Sequence, residues 1–324
     1  MMTPDDRNLE QVYRSAVSGL YARMRSNYDF LYRKYGEQGL KTIAEMADEY
    51  GLSIADRARQ RLPSNDIRSV CAYLTRIFDT VAGALDISVE AYEERPDLIA
   101  IKISRCPMQF ESHEMCQAHL AMERTVVQQL NQDLDYRTGK SIPQGDSYCV
   151  HYLALRETGQ TIEERTQMTI NEDERTLEQV YRSAVSGLYA RIRSNYDFLY
   201  RKFGDEGLAL ISEMSREYGL SVAERARKRL DNNDLHSVGQ YLMRIFNTVG
   251  RGQSTSIEPF EETPTRISIR VTRCPLNFDI PAMCRAHTTM EKTVVETLNP
   301  SLTYRIGKSI PAGDSYCEHF IELK

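Results

Sequence analysis

Between residues 105 and 132 the chain reads RCPMQFESHEMCQAHLAMERTVVQQLNQ, and a later stretch, GDSYCVHYLAL, adds a third patterned cysteine. These carry Cys106, Cys116, His119, Glu123, Cys149 and His151. Thiolates and imidazoles are ligands for soft divalent metals, and the same groups with a carboxylate can perform nucleophilic and acid–base chemistry. All six recur at an offset of 168 residues as Cys274, Cys284, His287, Glu291, Cys317 and His319. Other cysteine and histidine positions, such as Cys71, His113 and His236, are not kept in both copies.

Three accounts of this pattern stand side by side. In the first, three thiolates with His119 or Glu123, and with His151 near, form a site for zinc or another thiophilic divalent metal. In the second, a cysteine at a helix start with an imidazole one turn on has its pKa lowered, His119 is the base and Glu123 orients it. Here any of Cys106, Cys116 and Cys149, or of Cys274, Cys284 and Cys317, is an equivalent candidate nucleophile, with His287 and Glu291 repeating the proton-moving roles. In the third, the cysteines are small buried apolar residues and the histidines are satisfied locally.

Any such site needs elements that bring distant residues together, and the repeat defines them. Leu9–Leu40 returns as Leu177–Leu208 with four mild differences, so the chain reads as a tandem duplication. The expected organisation is a first α+β unit over 1–156, a polar linker over 157–176 and a second α+β unit over 177–324. In each unit the first half shows helical spacing: Val17, Leu20, Met24 and Leu31 mark one face of a helix over 9–35. Further helices are expected over 40–62, broken near Gly51, and over 66–82. The second half switches to alternation, giving two paired strands, a helix from Ser112 onward, and a closing hairpin whose turn, IPQGD, places Gly145 at a positive φ. Helices followed by strands indicate an α+β class: a helical half, then an antiparallel sheet with one packed helix.

On that scaffold Cys106 leaves a strand, Cys116 opens a helix and Cys149 lies on the last strand, so the three can converge. Cys116, His119 and Glu123 share a helix face by spacing, and Cys149 and His151 share a strand face. Asp146 and Asp314 are expected to serve their turns. A second stripe on the first helix, Tyr21, Arg25 and Tyr28, repeated as Tyr189, Arg193 and Tyr196, is either a solvated or contact face or the lining of a pocket where the arginine grips a carboxylate.

With 41% apolar and 27% charged residues the chain is a folded protein, and a net charge of -5 gives it no general attraction to nucleic acid. MMTPDDRNLEQ shows no charged stretch followed by an apolar run, and no run of apolar residues is long enough to span a bilayer, so no membrane partner and a cytoplasmic location are expected. There the seven cysteines would be reduced.

Each unit resembles the L-2-amino-thiazoline-4-carboxylic acid hydrolase family and, more distantly, 4-vinyl-reductase-type small-ligand domains. The resemblance rests on RCP, the cysteine at a helix start, LNP before a strand, and GDxxCxF-like closing strands: Cys106, Cys116, Gly145, Asp146 and Cys149, then Cys274, Cys284, Gly313, Asp314 and Cys317. The first family implies an α+β fold and hydrolytic opening of a small cyclic amidine, a thiazoline attacked by water to give a carbamoyl cysteine. The second implies a ligand-binding domain whose cysteine-rich zinc site shapes a pocket without chemistry. Histidines at 119 and 151 depart from the hydrolase pattern by adding bases or ligands. The expectation is an enzyme that hydrolyses or cleaves a C–N or C–S bond in a small amino-acid-derived or cyclic amidine substrate. Its two units are expected to form an internal pseudo-dimer, compatible with further homo-oligomerisation.

Overall fold

The computed structural model of the protein describes residues 6–156 and 174–324. Of the predicted linker, residues 157–173 lie outside the described residues. The fold is α+β with two four-stranded antiparallel sheets, as the alternation of periods indicates. Two compact units are formed, Tyr28–Thr176 and a second one in which Met1–Asn27 join Leu177–Lys324. Packing and sequence repeat therefore partition the chain differently over its first 27 residues.

In the N-terminal unit, helix α1 (Leu9–Tyr35, contributing its residues from Tyr28 on) is followed by α2 (Glu37–Arg59) and α3 (Ile67–Ala82). Gly36, at φ 56°, makes the turn between α1 and α2. The break expected near Gly51 is absent, and α2 runs straight through it. The reason is packing: a Cβ there would lie 2.8 Å from the Met122 carbonyl oxygen and 2.9 Å from Thr125 Cβ, so the glycine lets two helices approach closely. Asp66 caps α3 by accepting from Ser69 N–H at 2.9 Å, a contribution of about 1 kcal/mol.

The chain then forms β1 (Val89–Arg95) and β2 (Leu98–Ile103), a helical crossover split at Leu120 into α4 (His113–His119) and α5 (Ala121–Leu130), and β3 (Leu134–Thr138) and β4 (Cys149–Leu155). The order across the sheet is β1-β2-β4-β3. A short 3-10 turn over Ile142–Gln144 and Gly145 at φ 95° close the β3–β4 hairpin as the IPQGD motif requires.

The C-terminal unit repeats this sequence of elements: α6 (Leu177–Phe203), α7 (Asp205–Arg227), α8 (Leu235–Gly250), β5 (Ile257–Glu262), β6 (Arg266–Val271), α9 (Pro281–Leu298), β7 (Leu302–Ile306) and β8 (Cys317–Leu323). Its sheet runs β5-β6-β8-β7. Here the crossover helix is continuous, entered through Pro281 in its first turn, where a missing N–H costs nothing. The core is Val222, Leu242, Ile267, Ile269, Val294, Val295, Leu302 and Ile321, so α7, α8 and α9 all bury apolar faces around one side of the sheet. Among the described residues no helix is long and apolar enough to cross a membrane.

Candidate functional site

The ends of two paired strands and the start of one helix bring the patterned cysteines together in each unit. In the N-terminal unit Cys149 opens β4 opposite Ile103, the last residue of β2, and Cys106 follows three residues later. Cys116 sits in the first turn of α4, which Ser112 caps by accepting from Met115 N–H at 3.1 Å. The hairpin adds its own contact: Ile142 N–H donates to Cys149 Sγ at 3.4 Å. The C-terminal unit repeats this with Cys317 opposite Val271 and Ile310 N–H donating to Cys317 Sγ at 3.3 Å. All seven cysteines are free thiols.

Convergence of the three thiols is thus as expected, but their ionisation is not. Burial, reinforced by the neighbouring thiols and carboxylate, pushes Cys116 and Cys284 up to about 12. Cys149 and Cys317 are also raised, chiefly by burial. The helix start does not lower the pKa of these thiols, because loss of solvent outweighs it. Cys274 differs by position: it forms part of the wall of a surface pocket of about 300 Å³ with Arg273, Asn277, Phe278, Asp279 and Ile310. Cys106, its counterpart, is half-buried.

The helix face carries the rest. His119 and Glu123 are buried beside Cys116, as His287 and Glu291 are beside Cys284. His119 packs edge-on against Phe110 and Tyr28, at ring distances of 5.3 and 6.0 Å, and His287 does the same against Phe278 and Tyr196. His287 is held far below its ordinary pKa by burial, by the cation of Arg23 and by His319. A ring held neutral in this way is a weaker base than the spacing alone implies. Glu291, in contrast, is pushed up to about 7 by burial, against the opposing pull of Arg23, and its Oε2 has no hydrogen-bond partner within the protein.

Arg23 is the residue that the sequence pattern did not single out. Its Nη2 donates to His287 Nδ1 at 2.9 Å, with Ser215 Oγ and the His287 carbonyl oxygen each at 3.4 Å, and its guanidinium lies 5.7 Å from the centre of the Tyr218 ring. Tyr218 is itself fixed by donating to the Gly19 carbonyl at 2.9 Å. The expected stripe fares differently. Tyr28, Tyr189 and Tyr196 are buried, whereas Tyr21 and Arg25 are half-buried. Arg193 does not wait for a carboxylate ligand: it donates to the carbonyls of Leu276 at 3.3 Å and of Asn277, and to Asp279 Oδ2 at 2.6 Å, tying down the loop that walls the pocket.

The strand histidines are committed to tyrosines. Tyr136 Oη hydrogen-bonds His151 Nδ1 at 2.6 Å and Tyr304 Oη hydrogen-bonds His319 Nδ1 at 2.5 Å. Asp146 and Asp314 accept from Ser141 N–H and Ser309 N–H, each at 2.8 Å, so they serve the hairpin as expected.

This donor set does not fit the metal reading. Among the described residues no group of three or more His, Cys, Asp or Glu side chains is disposed to hold a metal ion. The physical reasons are local: Nδ1 of His151 and of His319 is already engaged by a tyrosine hydroxyl, and His287 Nδ1 accepts from a guanidinium, whose charge repels a cation. Neither expected ligand set, Cys106, Cys116, His119, Cys149 and His151 or Cys274, Cys284, His287, Cys317 and His319, is arranged as a metal site among the described residues.

In comparison with known proteins, no family model and no curated protein matches the chain.

Proposed function

We propose that the protein is a small-molecule hydrolase that opens a C–N or C–S bond in a small cyclic amidine or amino-acid-derived substrate. The observation that carries this reading is Glu291: a buried carboxyl with one oxygen unpartnered, poised near neutrality, within electrostatic reach of Cys284, in the unit where Cys274 lines an open pocket. A group of that pKa both takes and returns a proton at physiological pH, whereas an ordinary exposed carboxylate does not. Arg23 Nε and Tyr196 Oη are also buried without a partner in the protein, so polar groups of both signs remain for a small polar molecule.

For a 2-amino-thiazoline, water adds to the amidine carbon while Glu291 removes one of its protons. The C–S bond then breaks and the sulfur is protonated by Glu291; the other water proton ends on the ring nitrogen, leaving a carbamoyl group and a free thiol. The buried, neutral thiols Cys284 and Cys317 wall this reaction off from bulk water, and Cys274 contacts the substrate from the pocket side. The same roles fall to Glu123 and Cys106 in the N-terminal unit. We also propose that the duplicated units form an internal pseudo-dimer, supported by the 168-residue repeat and by the gain from replacing a concentration-dependent association by a covalent one.

The test is a mass-resolved screen of cyclic amidines and thiazolines for products heavier by one water, run with the wild type, E291Q and E123Q/E291Q. Turnover that falls by about a hundredfold or more in the double variant, with folding retained, supports the assignment. A double variant that turns over as fast as the wild type removes the carboxyls from the mechanism, and a folded wild type inert across the whole screen removes the substrate class.

A further inference from the structure

The C-terminal site takes a buried cation from the other end of the chain. Arg23 lies in α1, 264 residues from His287, yet residues up to Asn27 belong to the same compact unit as α7, α9 and the second sheet. Arg191 is the residue at the corresponding place in the second repeat. A guanidinium can only donate, so the ring nitrogen it approaches must accept. The two approaches to His287 are unequal: Nη2 to Nδ1 is 2.9 Å, and Nη1 to Nε2 is 3.4 Å. The first is a good hydrogen bond and the second is at the limit, so Nδ1 is the unprotonated nitrogen and the proton resides on Nε2.

We propose that Arg23 is a positioning residue of the C-terminal site, supplied from the N-terminal repeat, which locks His287 in its Nε2–H tautomer and so leaves Glu291 as the proton-transfer group of that site. Three features of its surroundings hold it in place for this. Ser215 Oγ and the His287 carbonyl accept from the same Nη2, the guanidinium carbon lies over the Tyr218 ring at 5.7 Å, and the whole group is buried, where a charged donor is worth more than in water. The consequence is a division of labour: the imidazole orients, and the carboxyl one turn further along α9 moves the proton. It also means that the second repeat does not carry all of its own site.

The inference rests on the proposed function only in its kinetic arm, and the test separates the two. The intact chain is labelled with ¹⁵N-histidine, and the long-range ¹H–¹⁵N pattern of His287 is assigned by its disappearance in H287Q. The wild type is expected to show an imine-type Nδ1 and a protonated Nε2. R23Q, checked for folding by its thermal transition, is expected to lose this single tautomer, and R23K, which keeps a cationic donor, to retain more of it. A wild-type ring protonated on Nδ1 overturns the proposal by itself, even if R23Q fails to fold, and so does a His287 pattern unchanged in folded R23Q. Once a substrate is in hand, kcat/KM of R23Q is expected to fall by about a hundredfold with partial recovery in R23K. An unchanged kcat/KM in R23Q overturns the positioning role whatever the spectrum shows, whereas absence of any substrate leaves the tautomer result decisive for Arg23 and counts against the hydrolase reading alone.

Discussion

Tyr304 Oη lies 2.5 Å from His319 Nδ1, across neighbouring strands of the second sheet, and Tyr136 repeats the bond to His151 at 2.6 Å in the first. Both partners are neutral: burial raises the tyrosines well above their ordinary range and lowers the histidines to about 4. The bond therefore joins two neutral groups, and the histidine tautomer sets which of them donates. Y304F keeps the ring packing but leaves a buried ring nitrogen without its hydrogen-bond partner, which costs about 1–3 kcal/mol. Urea unfolding of Y304F and of Y136F should each show this loss, and a midpoint unchanged from the wild type would mean that water replaces the hydroxyl without penalty.

The same burial sets a pH dependence of stability with two sides. His151 and His319, ordinarily at 6.5, are held at about 4 when folded, so the unfolded chain takes up protons first. Their contribution is intact above about pH 6.5 and is lost as the pH falls toward about 4, by up to about 3 kcal/mol per ring. Glu291 acts in the opposite sense: ordinarily at 4.5 and held at about 7, it contributes fully below about pH 4.5 and loses that contribution as the pH rises through about 7. E291Q, which cannot ionise, should gain on the wild type between those two values. Denaturation midpoints from pH 4 to 9 test both limbs; an E291Q curve parallel to the wild type across that window would place Glu291 in contact with solvent.

Thiol reactivity should divide by position. With iodoacetamide at pH 8, peptide mapping is expected to find Cys274 alkylated before Cys284 and Cys317, because Cys274 lines the pocket while burial keeps the other two protonated. In the N-terminal unit half-buried Cys106 should precede Cys116 and Cys149 for the same reason. Faster alkylation of Cys284 than of Cys274 would restore the helix-start nucleophile that the burial argument sets aside.

G219A tests the helix pair that carries the site. A Cβ at Gly219 of α7 would lie 2.8 Å from the Met290 carbonyl oxygen and 2.9 Å from Thr293 Cβ of α9. Alanine favours the helix by about 1 kcal/mol, but overpacking costs about 1–3 kcal/mol, and a backbone oxygen cannot rotate away. The substitution should therefore destabilise the protein, as G51A should in the other unit, where Met122 and Thr125 present the same distances. Because Met290 adjoins Glu291, G219A should also reduce turnover; a variant as stable and active as the wild type would show that the two helices have slack.

Much of this architecture was legible along the chain. The change from helical to alternating period marked where the sheets begin, the IPQGD turns identified the closing hairpins, and strand-end and helix-start positions sufficed to bring Cys106, Cys116 and Cys149 together. Gly51 was misleading, and Arg23 was missed, for related reasons. A glycine in a helix reads as a breaker until the neighbouring helix is in place, and α1 buries Arg23, Met24, Asn27 and Tyr28 in succession, so no single stripe distinguishes the arginine that faces the site from one at the surface. Near-identity of the first helix in both repeats gave no further discrimination.

By itself the sequence determined the duplication, the α+β class and the residue types that meet in each unit, because periodicity, turn chemistry and strand pairing are local and survive in a linear reading. Tertiary structure alone decided their charge states and partners. Whether a thiol ionises, whether a carboxyl titrates near 7 and which arginine reaches His287 depend on solvent exclusion and on contacts between residues up to 264 positions apart, and no local pattern encodes either.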